Sequence, residues 1–356
     1  MNDNYRLSSS LVIVKKQSTP SDSDYEILML KRANTGSFPG AYVFPGGLID
    51  KEADNINAWS NLNLPDKYTK NEDITLINLK LTAIRETFEE TGVLLSTHPI
   101  NLSTEEVKYW REKIESNPSS FPLIFKQYNT APDINSLHYI SNWLPTQLNP
   151  KRHLVYLFLY FMDHPINWYI PDTEGSLREV EFMEYRTAKS WLNGINGDDG
   201  DGVVLFPPQL YTLEVLNQHF NNYSNLKSYL TSFAKANSII SGNMAPRFKL
   251  IQLSENFREE YINEIDESCK FILVHYYNGD FEYNSITDNN QYNPSSYELE
   301  FIKKGFNVNN AGGRVYHRVL TVVRERSPKS VRLITNLKLL EPGMLVYSSN
   351  TNSNKL

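Results

Sequence analysis

The stretch from Leu79 to Thr91 constrains the chain most. At the pitch of an α-helix, about 100° per residue, Leu81, Ile84 and Phe88 share one face while Arg85, Glu86, Glu89 and Glu90 occupy the other. Gly92 then closes the segment as a helix stop. Carboxylates at i, i+3 and i+4 converge and repel, and only Arg85, one turn before Glu89, relieves them locally. A divalent cation would remove the repulsion, because Mg²⁺ prefers oxygen ligands, keeps several waters and bridges readily to phosphates. A solvated charged face is the plain alternative for such a run taken alone. The surrounding residues decide between the two.

The flanking chain alternates strand and helix signals. Leu11 to Val14, Ile27 to Leu30 and Tyr42 to Phe44 are short apolar runs separated by turn residues. Ser103 to Ser116 opens with the capping-box spacing Ser103 to Glu106 and continues as an amphipathic helix. Leu154 to Met162 is dense enough in apolar and aromatic residues for a central strand buried on both faces. Val180 to Tyr185 predicts a further strand, Ala188 to Leu192 a short helix and Gln209 to Phe233 a mainly helical stretch; Lys270 to Tyr277 and Tyr316 to Val323 predict later strands. This order points to an α/β layer architecture with a smaller C-terminal addition.

With 356 residues, 40% of them hydrophobic, the chain can bury a core, and a net charge of −6 disfavours nucleic acid as a partner. A single cysteine, Cys269, excludes an internal disulfide or a thiolate zinc site. No apolar run approaches a membrane span, and MNDNYRLSSS lacks a secretory layout, so a soluble, intracellular protein is expected.

Gly46-Gly47 precedes the acidic helix and Gly92-Val93-Leu94 follows it. The segment Arg85-Glu86-Thr87-Phe88-Glu89-Glu90-Thr91-Gly92-Val93 resembles the second half of the Nudix box, which runs Gly, five residues, Glu, seven residues, then Arg-Glu-apolar-x-Glu-Glu-x-Gly-apolar. Two features depart from that pattern. Thr87 stands in an apolar slot, and Arg85 lies 38 positions after Gly47, 24 more than in an uninterrupted box. Counted back from Arg85, the missing Glu would fall at Ile77; Asp50, Glu52, Glu72 and Asp73 are its candidate replacements. Such an interruption resembles the peroxisomal coenzyme A diphosphatase subgroup of the family. Leu30-Lys31-Arg32, Phe38 to Gly47, Trp143-Leu144-Pro145-Thr146, Pro150-Lys151-Arg152 and Leu205-Phe206-Pro207-Pro208-Gln209 extend that resemblance.

The resemblance implies a Nudix-type mixed sheet between helices, an α/β/α sandwich. Its domain would span 1–224, with an insertion at about 51–76 and a helical segment at about 103–140, before a C-terminal α+β extension at 225–356. It implies Mg²⁺ or Mn²⁺ on Glu86, Glu89, Glu90 and the Gly47 carbonyl, with Arg85 orienting a carboxylate and Glu86, Glu89 and Arg85 as catalytic residues. Glu174, Glu179 and Glu181 are candidates for an outside base, and Arg32 and Arg152 for substrate phosphates. Tyr156 and Phe158 are candidates to stack on an adenine, with core packing as the plainer role. The 51–76 segment, poor in core-forming residues, is expected at the surface and dispensable for folding, with Trp59 and Leu62 docking only locally.

The implied reaction is metal-dependent hydrolysis of coenzyme A and acyl-coenzyme A to adenosine 3′,5′-bisphosphate and 4′-phosphopantetheine or its acyl form. Alternatives are a diphosphatase for NADH or ADP-ribose and, from another class, a nucleotide-binding scaffold without turnover. Partners are then small nucleotide-linked substrates rather than membranes. The tail Asn354-Lys355-Leu356 approaches the Ser-Lys-Leu address, so peroxisomal location through the import receptor is the expectation, with the cytoplasm as the alternative.

Overall fold

A computed structural model of the chain describes residues 5–17, 23–34, 39–62, 73–145, 152–163, 180–196, 202–233, 243–245, 247–252, 269–277, 280, 283–285, 291–292, 317–324, 327–335, 337–341 and 344–347. The tail Asn354-Lys355-Leu356 and the candidates Glu72, Glu174 and Glu179 lie outside the described residues.

The first strands are β1 (Tyr5–Lys16), β2 (Tyr25–Arg32), β3 (Tyr42–Val43) and β4 (Gly46–Leu48). Helices α1 (Ile74–Thr91), α2 (Thr104–Ser116) and α3 (Phe121–Gln127) follow, then β5 (His138–Trp143), β6 (Arg152–Met162) and β7 (Val180–Arg186). Next come α4 (Ala188–Asn193), α5 (Pro207–His219), α6 (Tyr223–Phe233) and β8 (Asn243–Met244). The main sheet runs β3-β2-β1-β6-β5-β8, with β4 paired to β1 and β7 to β2. It is mixed: β1 runs parallel to β6 from Tyr5↔Arg152 to Lys15↔Met162 and β5 runs parallel to β8, while β2 and β4 pair antiparallel with β1 and β5 pairs antiparallel with β6.

Alternation along β1 divides the core into two layers. Val12 and Val14 face one cluster, to which α4, α5 and α6 contribute Trp191, Leu213 and Leu226. Leu11 and Ile13 face the other, filled by Ile84 and Phe88 of α1, Trp110 of α2 and Phe125 of α3. Helices therefore cover both faces of the sheet, and β6 is interior as its apolar run implies. The α2 capping box forms as expected: Ser103 Oγ accepts from the Glu106 N–H at 3.3 Å, and the Ser103 N–H donates to Glu106 at 2.8 Å.

The segment 51–76 departs from its expected dispensability. Ala53, Asp54, Ile56 and Trp59 are buried, and the indole of Trp59 lies 5.6 Å from Phe121 and 5.4 Å from Phe125. Its N–H donates to the Ala53 carbonyl at 2.9 Å, which fixes the 3₁₀ turn Ile56–Leu62 beneath α3. A large aromatic with its one polar atom satisfied is core, however polar its sequence neighbours. Residues 63–72 lie outside the described set, and α1 opens at Ile74 behind the N-cap Asp73.

The main core also continues past 225. Leu226 and Leu230 of α6, Met244 of β8 and Tyr277 belong to the same cluster as Val12. Tyr277 follows β10 (Cys269–Tyr276), which lies in a second sheet with β9 (Arg247–Gln252), β11 (Gln291–Tyr292), β12 (His317–Arg324) and β13 (Ser327–Thr335), in the order β11-β9-β10-β12-β13. The Tyr277 ring lies 5.8 Å from Trp143 and 6.0 Å from Tyr211. A hairpin of β14 (Leu337–Glu341) and β15 (Met344–Tyr347) completes the described elements. Among the described residues no helix is long and apolar enough to cross a membrane.

Candidate active site

Helix α1 is anchored at both ends. Asp73 accepts from the Thr75 N–H at 2.8 Å, and Gly92, in the left-handed region at φ 75°, returns its N–H to Phe88. Between them the apolar face fixes the rotation of the helix, with Leu81, Ile84 and Phe88 fully buried. Arg85 is not the exposed i, i+4 partner that a charged helix face implies. It is 4% exposed, and every contact it makes organises the site.

The Arg85 guanidinium grips Asp54 bidentately, Nε to Oδ1 and Nη2 to Oδ2, both at 2.9 Å. Nη2 also donates to the Leu48 carbonyl and lies 2.9 Å from Glu86 Oε1, while Nη1 donates to Glu89 at 2.9 Å. Asp54 itself is fully buried and accepts further bonds from Thr82 Oγ1 at 3.0 Å and the Asp50 N–H at 2.8 Å. A buried carboxylate with this many donors is satisfied, which makes the burial tolerable. Burial alone would lower the guanidinium pKa, but the bond to Asp54 and the fields of Glu86, Asp54 and Glu89 outweigh it and hold Arg85 charged.

Asp54 is the acid that the structure brings onto Arg85 from the segment between the glycine turn and the helix, and it is not among the four candidates for the missing Glu. Asp50 caps its own turn by accepting from the Glu52 and Ala53 N–H groups, Glu52 is exposed and Asp73 caps α1. Counting forward from Gly47 rather than back from Arg85 puts the box position at Ala53, one residue from Asp54.

The turn Gly46-Gly47 lies against the carboxylates of the same helix. The Gly46 N–H donates to Glu90 Oε2 at 2.9 Å. A Cβ on Gly47 would lie 2.3 to 2.5 Å from the Glu86 carboxyl atoms, and one on Gly46 would meet the Ser9 carbonyl oxygen at 2.3 Å. Glycine is required at Gly46, where the added carbon would meet backbone, whereas at Gly47 it would displace the Glu86 carboxylate from the turn. Burial pushes the Glu86 carboxyl up to about 7; Arg85 opposes this, and the charges of Glu89 and Asp54 add to it. Burial also raises Glu89, with Arg85 again opposing and Asp54 reinforcing.

Among the described residues no three His, Cys, Asp or Glu side chains already converge as a metal-holding group. Glu86 and Glu89 are turned onto Arg85, and Glu90 onto Gly46. The donor set nevertheless suits a hard cation. Glu86 and Glu90 both abut the Gly46-Gly47 turn, and the burial that raises Glu86, with the charges of Glu89 and Asp54 added to it, is the condition a positive ion relieves. Mg²⁺ keeps several waters and needs only one or two protein carboxylates beside substrate phosphates, so a three-carboxylate cage is not required.

The remaining candidates are more dispersed. Arg152 opens β6 with Nε on the Pro145 carbonyl at 3.1 Å, and Arg32 closes β2 with its N–H on Ala41. Glu181 pairs with Lys31 at 3.4 Å. Phe158 is fully buried in the core, its plainer role, whereas Tyr156 is half-buried.

A family model described as the NUDT19 Nudix domain matches residues 72–216. Over these residues the chain matches a Nudix hydrolase domain. The matched span includes α1 but begins after Gly46, Gly47 and Asp54, which the structure joins to the Nudix helix by direct contact. The chain is 31% identical over 254 residues to the acyl-coenzyme A diphosphatase NUDT19 of Xenopus laevis, covering 59% of this chain and 64% of that protein. It is 26% identical to the Homo sapiens protein of the same name over 253 residues, covering 59% and 65%. These matches span less than two thirds of each relative's length. Among solved structures, a Nudix hydrolase from Alicyclobacillus acidocaldarius superposes with a TM-score of 0.49 at 20% identity, covering 67% of this chain and 99% of that one.

Proposed function

We propose that the chain hydrolyses the diphosphate bond of coenzyme A and acyl-coenzyme A, releasing adenosine 3′,5′-bisphosphate and 4′-phosphopantetheine or its acyl form. The observation that carries this is the closure of the Gly46-Gly47 turn onto Glu86 and Glu90, with Arg85 and Asp54 locking the helix behind it. Substrate identity is supported by the relatives named acyl-coenzyme A diphosphatase. Held by Glu86, Glu90 and the Gly47 carbonyl, Mg²⁺ or Mn²⁺ would supply charge neutralisation at the diphosphate and a bound water of lowered pKa. Water forms the new P–O bond as the anhydride P–O bond breaks. The departing phosphate is a stable anion and needs no general acid. Glu89, fixed on Arg85 Nη1, is the carboxylate of this chain placed to hold the proton the water gives up. Arg32 and Arg152 are proposed as contacts for the 3′-phosphate.

A cleavage panel of coenzyme A, dephospho-coenzyme A, NADH and ADP-ribose, with and without a chelator, tests this. Coenzyme A is expected to show the highest kcat/KM, and chelation to abolish turnover. One guanidinium–phosphate contact contributes roughly 1.5 to 3 kcal/mol, or about ten- to a hundredfold in specificity. Arg152→Ala or Arg32→Ala should therefore narrow the gap between coenzyme A and its dephospho form while sparing the latter. Preference for NADH or ADP-ribose would reassign the substrate, and cleavage of none would leave a nucleotide-binding protein without turnover.

A further inference from the structure

The sheet face beneath the acidic helix holds polar atoms that the described residues leave without partners. Ser9 pairs with Gly47 across β1 and β4 and with Tyr156 across β1 and β6, and Tyr156 pairs in turn with Asn142 on β5. Residues directly opposite in a sheet project to the same face. Leu7 and Leu11, on either side of Ser9, pack into the layer that contains α1, so this face is the helix side. Gly47, Ser9, Tyr156 and Asn142 therefore form one row, about 14 Å across three strand spacings. One end of the row abuts the Glu86 carboxyl.

Ser9 is 1% exposed and Asn142 7% exposed, yet among the described residues Ser9 Oγ and Asn142 Oδ1 have no hydrogen-bond partner. Native interiors rarely leave such atoms unsatisfied unless something else fills the position. Access exists beside them: β6 is only partly buried from Arg152 to Tyr156, then buried from Leu157 to Leu159. The ring of Tyr139 lies 6.0 Å from that of Tyr156 and adds a second aromatic edge.

We propose that this row is a substrate subsite that seats a neutral, N–H-bearing part of the molecule whose diphosphate lies at Glu86 and Glu90. Asn142 Oδ1 and Ser9 Oγ accept from it, and Tyr156 flanks it. The proposal rests on the coenzyme A reading above. The free atom of Asn142 is an acceptor, so it suits a donor and not a phosphate, which offers only acceptors; this separates the row from the roles of Arg32 and Arg152. Both halves of coenzyme A carry the required chemistry, the adenine amine in one and the pantetheine amides in the other.

Calorimetric binding of adenosine 3′,5′-bisphosphate and of 4′-phosphopantetheine, each with Mg²⁺, to the full chain and to Asn142→Leu and Ser9→Ala distinguishes the two sources. Asn142→Leu is expected to weaken one half by about tenfold and leave the other unchanged, with Ser9→Ala acting on the same half. The KM for coenzyme A should rise more than kcat falls, and the thermal midpoint should not drop, because neither Ser9 Oγ nor Asn142 Oδ1 has a partner to lose among the described residues. If wild-type protein cleaves coenzyme A while Asn142→Leu binds both halves as tightly as wild type, the subsite alone fails. Equal weakening of both halves with a lowered thermal midpoint also overturns it, since that is loss of structure. A wild-type protein that neither cleaves coenzyme A nor binds either half overturns the coenzyme A reading and the subsite together.

Discussion

Glu90→Gln is expected to lower kcat by about a thousandfold, or roughly 4 kcal/mol, within the several kcal/mol that a metal contributes to transition-state charge stabilisation. The fold should be untouched. Gln retains a carbonyl oxygen that can accept the Gly46 N–H, so the turn stays closed on the helix. What is lost is one negative charge at the point where the turn meets the helix. Turnover should therefore fall together with Mn²⁺ affinity, measured by titration of the same variant, while the thermal midpoint holds. Near-wild-type kcat at saturating Mg²⁺ would remove Glu90 from the proposed ligand set.

Asp54→Ala should destabilise the protein by about 3 to 5 kcal/mol, the usual cost of stripping one partner from a buried ion pair. The guanidinium of Arg85 would remain 4% exposed with its bidentate partner gone, and Thr82 and the Asp50 N–H would lose an acceptor. Urea denaturation of Asp54→Ala, Arg85→Met and the double variant forms a cycle that isolates the pair. The double variant should regain much of the stability, because it leaves no unpaired buried charge. It should not regain activity, since Arg85 also holds Glu86 and Glu89 in place. A loss below about 1 kcal/mol in Asp54→Ala, the scale of an exposed pair, would mean that the pair is peripheral to folding.

The acidic helix, its apolar stripe and its Gly92 stop were legible because all three depend on residues within a few turns of one another. The same holds for the capping box at Ser103 and the apolar run of β6. Asp54 was not legible, because it meets Arg85 across 31 residues of sequence and counting back through the interruption lands on Ile77. Trp59 sits among Asn, Asp and Ser, so its neighbours suggest a loop, and only the arrival of Phe121 and Phe125 makes it core. The apolar run Leu11 to Val14 marked less than half of β1, whose Ser8 to Ser10 segment does not look like a strand interior. Ser10 belongs there because its hydroxyl donates to the Phe44 and Pro45 carbonyls, contacts supplied by a distant turn.

The parallel ladder between β1 and β6 also sets an order of events during synthesis. Tyr5 waits for Arg152 before the centre of the sheet can close, and parallel pairing at such separation carries a large loop-closure cost. At roughly 5 to 20 residues per second, translation leaves the open edge of β1 exposed for about 7 to 30 s. During that time β1 and β2 can form a hairpin, but one side of β1 remains a template for any passing strand. A ribosome-bound chain halted before Arg152 should stay protease-sensitive at β1, and one halted well past Met162 should not. The Nudix helix is thus complete on the nascent chain well before the sheet that must hold it.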